Sequence, residues 1–149
     1  MTPAVDFFEA SGRHYTDATL LHGAGRHTNA GHLYGFAAEC GVKALLVDCG
    51  YPTDSDGDLI RTPDIPILPA RKHIDELSKL LQQIVASLSG RDGARYLAQV
   101  PNLGEFADWS VSHRYCAAAS IPPSLEKWQR AAGEVLRMLQ NLQLDKGAK

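Results

Sequence analysis

The sequence predicts an all-α fold, an up-and-down bundle of about five helices forming a single domain over residues 1–149. Three observations lead there. Apolar residues recur at steps of three and four through four long segments, the spacing that gathers them on one helix face. Nothing alternates at period two for long, so no strand is expected. At 149 residues the chain can build one core but not two, and 44% hydrophobic with 21% charged residues is the balance of a folded globule.

Each element follows from its own residues. Ala4, Phe7, Phe8, Tyr15, Ala18 and Leu21 share a broad face of a first helix, expected over about 4–27. Gly23, Gly25 and Asn29 blur its end. A second helix is expected over about 30–47, with Leu33, Phe36, Ala37, Cys40, Ala44 and Val47 on one side and Gly50-Tyr51-Pro52 as its stop. Residues 51–70 have no helical period and hold Pro52, Pro63, Pro66, Pro69 and four aspartates, so they read as a long proline-rich loop between helices two and three. Ile74, Leu77, Leu80, Leu81, Ile84 and Leu88 stripe a third helix, and Ser89-Gly90-Arg91-Asp92-Gly93 reads as a turn. Pro101 and Gly104 break the pattern between 94 and 116, where short helical pieces are expected. Leu125, Trp128, Ala132, Val135, Leu139 and Leu142 mark a last helix behind Pro122 and Pro123, and 145–149 are expected to fray.

The second helix is apolar nearly all round, the mark of a central, buried element. Its one polar stripe is His32, Glu39 and Lys43, at spacings of seven and four. Glu39 precedes Lys43 in the favourable ion-pair order. The spacing favours a wet edge carrying a surface ion pair worth a few tenths of a kcal/mol. The competing reading is that charges on a buried helix line a cleft or an interface.

Charge and motif content exclude several classes. The net charge is −2, which argues against a chain-wide basic coat for nucleic acid but leaves room for a local patch. No apolar run is long enough to cross a bilayer. Met1-Thr2-Pro3-Ala4-Val5-Asp6 has no basic start or apolar signal core, and Cys40, Cys49 and Cys116 form no CxxC pair, so a reduced, cytoplasmic chain with packed thiols is expected. His14, His22, His27 and His32 lack the H-x-x-x-H spacing of a zinc helix, so no metal is expected. Asp54-Ser55-Asp56-Gly57-Asp58 begins like a calcium loop, but Leu59 stands at the glycine position and Ile65 at the glutamate position. His22-Gly23-Ala24-Gly25-Arg26 follows a helix rather than a strand, so it is no dinucleotide loop, and no cofactor is implied. The cysteines lack a histidine and acid in catalytic order.

The run Leu33-Tyr34-Gly35-Phe36-Ala37-Ala38-Glu39-Cys40-Gly41-Val42-Lys43-Ala44-Leu45-Leu46 resembles the second helix of HEPN domains. His73-Ile74-Asp75-Glu76-Leu77 is similar to that family's H-x-x-x-L helix start, and Trp109 with His113-Arg114-Tyr115 to its W…RY region before the last helix. The resemblance implies a helical bundle that commonly forms homodimers. The family's members include ribonuclease toxins, partners of nucleotidyltransferase antitoxins, and non-catalytic modules that bind nucleotide or RNA.

The nuclease members share Arg-x(4–6)-His in the C-terminal half, where arginine would hold the phosphate and histidine would move a proton. Here Arg114 is followed by Tyr115, Cys116 and three alanines, and no histidine occurs after His113. Arg26 and His32 have the spacing but lie at the junction of the first two helices. The expectation is therefore a non-catalytic module binding nucleotide or RNA phosphate through Arg114, Tyr115, Lys43, Glu39 and His32, with His113 beside them. One alternative is a metal-independent ribonuclease using Arg114 and His113, or Arg26 and His32. Another is a ligand-free helical dimer in which Tyr115 and Trp109 are core aromatics and Arg114 pairs with Glu39.

Overall fold

The structure is a computed structural model that describes residues 3–63, 72–88 and 91–147. It is all-helical in its regular elements: α1 (Phe7–Gly23), α2 (His27–Asp48), α3 (Ile74–Leu88), α4 (Arg91–Leu97) and α5 (Leu125–Gly147), with short 3-10 turns at Leu103–Asp108, Val111–Tyr115 and Ala118–Ser120. An isolated antiparallel bridge joins Thr53 to Leu59.

The long helices keep the order the sequence predicts, and the differences lie at their ends. α1 begins at Phe7 because the Asp6 carboxylate accepts from the Glu9 N–H at 2.9 Å and caps the first turn. It stops at Gly23, and Gly25, at φ 78°, turns the chain so that α2 starts at His27, three residues earlier than expected. Of the turn expected at 89–93, residues 91–93 belong to α4, which Arg91 opens, and 89–90 lie outside the described residues. α5 runs to Gly147, where Lys146 pairs with Asp48 at 2.5 Å and the Tyr96 hydroxyl donates to Asp145 at 2.5 Å; residues 148–149 of the expected tail lie outside the described residues. The expected loop is irregular through 63, and its stretch 64–71 lies outside the described residues.

α2 is the central element, as its all-round apolar pattern implies, and it packs on α1, α3 and α5. Two glycines permit that. A Cβ at Gly41 would sit 2.2 Å from Val135 Cγ1, so the missing side chain is what lets α5 approach. A Cβ at Gly35 would sit 2.1 Å from the Trp109 indole. Trp109 instead lies flat on the helix and donates its Nε1–H to the Gly31 carbonyl at 3.2 Å. The buried Ser11 hydroxyl donates to the Ala37 carbonyl at 2.7 Å and fixes α1 against α2.

The apolar faces of α2 and α5 are covered within one chain: Tyr34, Val42, Leu45, Leu46, Trp128, Val135, Met138 and Leu139 are all buried. The large apolar side chains that remain exposed, such as Leu20, Tyr115 and Leu144, are scattered. Among the described residues no helix is long and apolar enough to cross a membrane.

A second tryptophan anchors the irregular stretch that follows α4. Trp128 of α5 donates from Nε1 to Asp108 Oδ1 at 2.9 Å, and the Ser124 hydroxyl donates to the same carboxylate. Asn102 donates from its backbone N–H and its side-chain amide to Glu134, at 3.1 and 2.6 Å. Between these ties the Val111–Tyr115 turn is held at the rim of α2.

Candidate functional site

The polar stripe of α2 is not a wet edge. Glu39 is 7% exposed and Lys43 4%, and the Lys43 ammonium donates to Glu39 Oε2 at 3.1 Å inside the bundle. The surface ion pair favoured by spacing is corrected by what covers it: α1 brings Phe7 over Lys43, with Nζ 5.9 Å from the ring centre, and the segment leading into α3 brings His73. The second Glu39 oxygen, Oε1, lies 2.9 Å from His73 Nδ1. A buried pair of this kind loses the hydration of two charges, so its carboxylate needs both partners.

His73 is not among the site residues that the sequence pattern predicts. Its side chain is 39% exposed while that of Glu39 is 10%, so a buried carboxylate holds a half-exposed imidazole. With Nδ1 turned to the carboxylate, Nδ1 carries the proton and Nε2 is the nitrogen left to exchange protons or accept. The separation of 34 positions along the chain hides this pairing from spacing arguments. The one signal was the histidine that opens the third helix.

Next to the dyad lies an aromatic stack. His32 lies parallel to Trp109, with ring centres 5.3 Å apart at 19°, and edge-on to Phe36 at 4.9 Å. The His73 ring is 6.3 Å from Phe36 and 6.4 Å from Trp109. His32 Nδ1 is buried without a hydrogen-bond partner among the described residues. Burial first, and then the charges of Arg114, His113 and His73, push the His32 pKa below its ordinary 6.5. The groups that act on His32 are therefore all basic, and Glu39 is engaged by Lys43 and His73.

The Val111–Tyr115 turn supplies the outer part. Arg114 and Tyr115 are exposed, with the guanidinium 4.9 Å over the Tyr115 ring. His113 is half-buried, its ring 6.1 Å from that of Trp128. Trp109 is a core aromatic, 1% exposed, whereas Tyr115 is 79% exposed and is not. Glu39 takes Lys43 and His73 as its partners rather than Arg114.

So His32, Glu39, Lys43 and Trp109 are brought together with His73, and the turn that carries His113 and Arg114 packs against α2. Arg26 does not join them. It is exposed just ahead of α2, and the six residues to His32 turn the helix by about 600°, leaving the two side chains about 120° apart. Cys40 is held inert, its thiol pushed up to about 11 by burial, while Cys116 is exposed rather than packed. The Asp54 carboxylate accepts from the backbone of Asp56 and Asp58 at 2.9 and 3.0 Å and is spent on its own turn. Among the described residues no three His, Cys, Asp or Glu side chains gather as metal ligands.

Comparison with protein-family profiles, with curated proteins and with solved structures finds no match to this chain.

Proposed function

We propose that this chain is a HEPN-like module that binds the phosphate of a nucleotide or of RNA at the rim formed by His113, Arg114 and His73 over the His32–Trp109 stack. The observation that carries the reading is the Val111–Tyr115 turn packed against α2, which sets the exposed Arg114 and Tyr115 at the edge of a helix whose buried carboxylate is already engaged. A guanidinium forks onto phosphate oxygens, and a tyrosine 79% exposed offers a base a stacking face. Lys43, 4% exposed and bound to Glu39, acts from beneath: it holds the carboxylate whose other oxygen orients His73.

The Glu39–His73 dyad favours a second reading, metal-independent ribonuclease action. A carboxylate-oriented imidazole near an arginine is the proton carrier that the sequence lacks after Arg114. Binding stands first because it needs only the cation and the stacking face. A homodimer and a nucleotidyltransferase-type partner rest on the family resemblance alone; light scattering at micromolar concentration tests the first.

The test is titration of a fluorescent adenosine nucleotide, beside incubation with total RNA. Binding that weakens at least tenfold in Arg114→Ala and with added salt is expected, with no robust cleavage. Cleavage lost in His73→Ala and in Arg114→Ala would move the reading to the ribonuclease. Neither binding nor cleavage would leave the interaction protein.

A further inference from the structure

The run His22-Gly23-Ala24-Gly25-Arg26-His27 joins α1 to α2 and takes no part in the site described above. Its backbone is closely determined. The Arg26 N–H donates to the Leu21 carbonyl at 2.8 Å, and the Gly25 N–H to the His22 carbonyl at 3.1 Å. With Gly25 at φ 78°, these are the paired bonds of a glycine-closed helix end. α2 then begins at once with His27. The turn thus sets one histidine in the last turn of α1 and another in the first turn of α2. On a single continuous helix, five positions would leave the two side chains about 140° apart, which is why a search for H-x-x-x-H passes over them. The break at Gly25 brings them together instead.

The ring centres of His22 and His27 lie 5.5 Å apart, with the planes at 80°. Both histidines line one hollow of ≈650 Å³, beside Pro122, Pro123 and the first turn of α5. The other charged residues on its lining are Glu126 and Lys127, whose charges cancel, and Arg26 is not on it. An imidazole nitrogen binds zinc at about 2.0–2.1 Å, which puts the ion about 3.2 Å from the ring centre. Two rings on one tetrahedral ion then have centres about 5.2 Å apart, against about 4.5 Å for neighbouring positions on an octahedral ion. The observed 5.5 Å matches the tetrahedral case. The other nitrogen of His22 is already placed. Nδ1 lies 3.3 Å from the hydroxyl of the buried Tyr34, and that hydroxyl lies 3.4 Å from Thr19 Oγ1. Donating to Thr19, the hydroxyl accepts from His22 Nδ1–H, which leaves Nε2 with the lone pair. An outer partner of this kind fixes the tautomer and the ring orientation of a metal-binding histidine.

We infer that His22 and His27 form a tetrahedral two-histidine site for Zn²⁺ or a neighbouring late first-row dication, with water completing the coordination and Tyr34 as the positioning residue behind His22. Imidazole nitrogen is a donor that suits these ions. The pair lies below the gathering of three ligands that marks a permanent structural or catalytic centre, so the ion is an exchangeable one. Bound, it ties the end of α1 to the start of α2. The inference does not rest on the proposed phosphate binding, whose residues lie on the Val111–Tyr115 turn and at His73.

Isothermal titration of Zn²⁺ into the chelator-stripped full chain tests this, with Co²⁺ absorption to report the coordination geometry. The wild type is compared with His22→Ala, His27→Ala, Tyr34→Phe, His14→Ala and Cys116→Ser. One ion per chain is expected, with a tetrahedral Co²⁺ spectrum and a melting temperature that rises with added Zn²⁺. Removing an outer partner of a metal ligand costs about 10–100-fold in affinity, and removing a ligand costs more. Tyr34→Phe should therefore bind about tenfold more weakly, and His22→Ala and His27→Ala about a hundredfold more weakly. His14→Ala and Cys116→Ser, which change residues off the lining, should bind as the wild type does. His27 is exposed, so His27→Ala keeps the fold, and an unchanged metal-free melting temperature verifies it. Unchanged affinity in either histidine variant, or a loss confined to Cys116→Ser, overturns the site. An octahedral Co²⁺ spectrum overturns it as well. Several ions taken up with equal weak affinity would mark adventitious surface binding only and overturn the inference, as would no uptake at all.

Discussion

The Glu39–Lys43–His73 cluster and the Val111–Tyr115 turn are neighbours with opposite physics. In the first, charges are buried and matched: Glu39 uses both oxygens, at 3.1 and 2.9 Å, and no charge is left over for a ligand. In the second, Arg114 and Tyr115 are exposed and answer to each other. Removing water from a charge makes its partners indispensable, whereas a solvated charge tolerates loss and can trade water for phosphate. The buried cluster accordingly governs stability and the orientation of His73. The turn governs binding.

That contrast is broken most readily at Lys43. Lys43→Met leaves a buried carboxylate with half its partners, and breaking such a pair costs about 3–5 kcal/mol. Urea unfolding should register that loss, and replacing Glu39 by Met in the same chain should recover much of it. A Lys43→Met protein as stable as the wild type would mean that the pair is solvated after all.

Gly35→Ala comes next. The new Cβ collides with the Trp109 indole, which cannot retreat without losing its bond to the Gly31 carbonyl. Overpacking of this kind costs about 1–3 kcal/mol. Because Trp109 also carries His32, thermal melting and the nucleotide affinity should fall together.

A smaller effect is the pH dependence of stability. His32 and His14 both have pKa values below 6.5 in the folded chain, chiefly through burial. The unfolded chain then binds more protons just below pH 6.5, so stability rises with pH through that window and is lost on acidification. Around the His32 ring the facing groups are Arg114, His113 and His73, all basic. Denaturation at pH 7.5 and 5.5 should show the loss, and His32→Gln should reduce it. A chain more stable at pH 5.5 would contradict the burial of these rings.

The same contrast explains what the sequence could and could not convey. The stripe Leu125–Trp128–Val135–Leu139 and the all-round apolarity of α2 made the bundle legible, because burial repeats with the helical period. α4 was obscured, since Gly90 and Gly93 flank and interrupt it and read as a turn that packing against α3 overrides. Glu39 and Lys43 were visible as a pair from their spacing, but their burial is set by Phe7 and His73, which lie 32 and 34 residues from Glu39 in sequence. Local periodicity carries no information about which distant side chain covers an edge. Spacing left Tyr115 open between a stacking face and a core aromatic, and the fold settles it by leaving the ring exposed.

The smallest stability effect and the sharpest functional one meet at Arg114. Its side chain is exposed, so Arg114→Ala should change the unfolding free energy by no more than about 0.5 kcal/mol. Titrating a labelled adenosine nucleotide into wild type and Arg114→Ala at one fixed salt concentration tests the account most directly. An unchanged melting temperature with affinity at least tenfold weaker in the variant is the expected result. Equal affinity in the two proteins would contradict it.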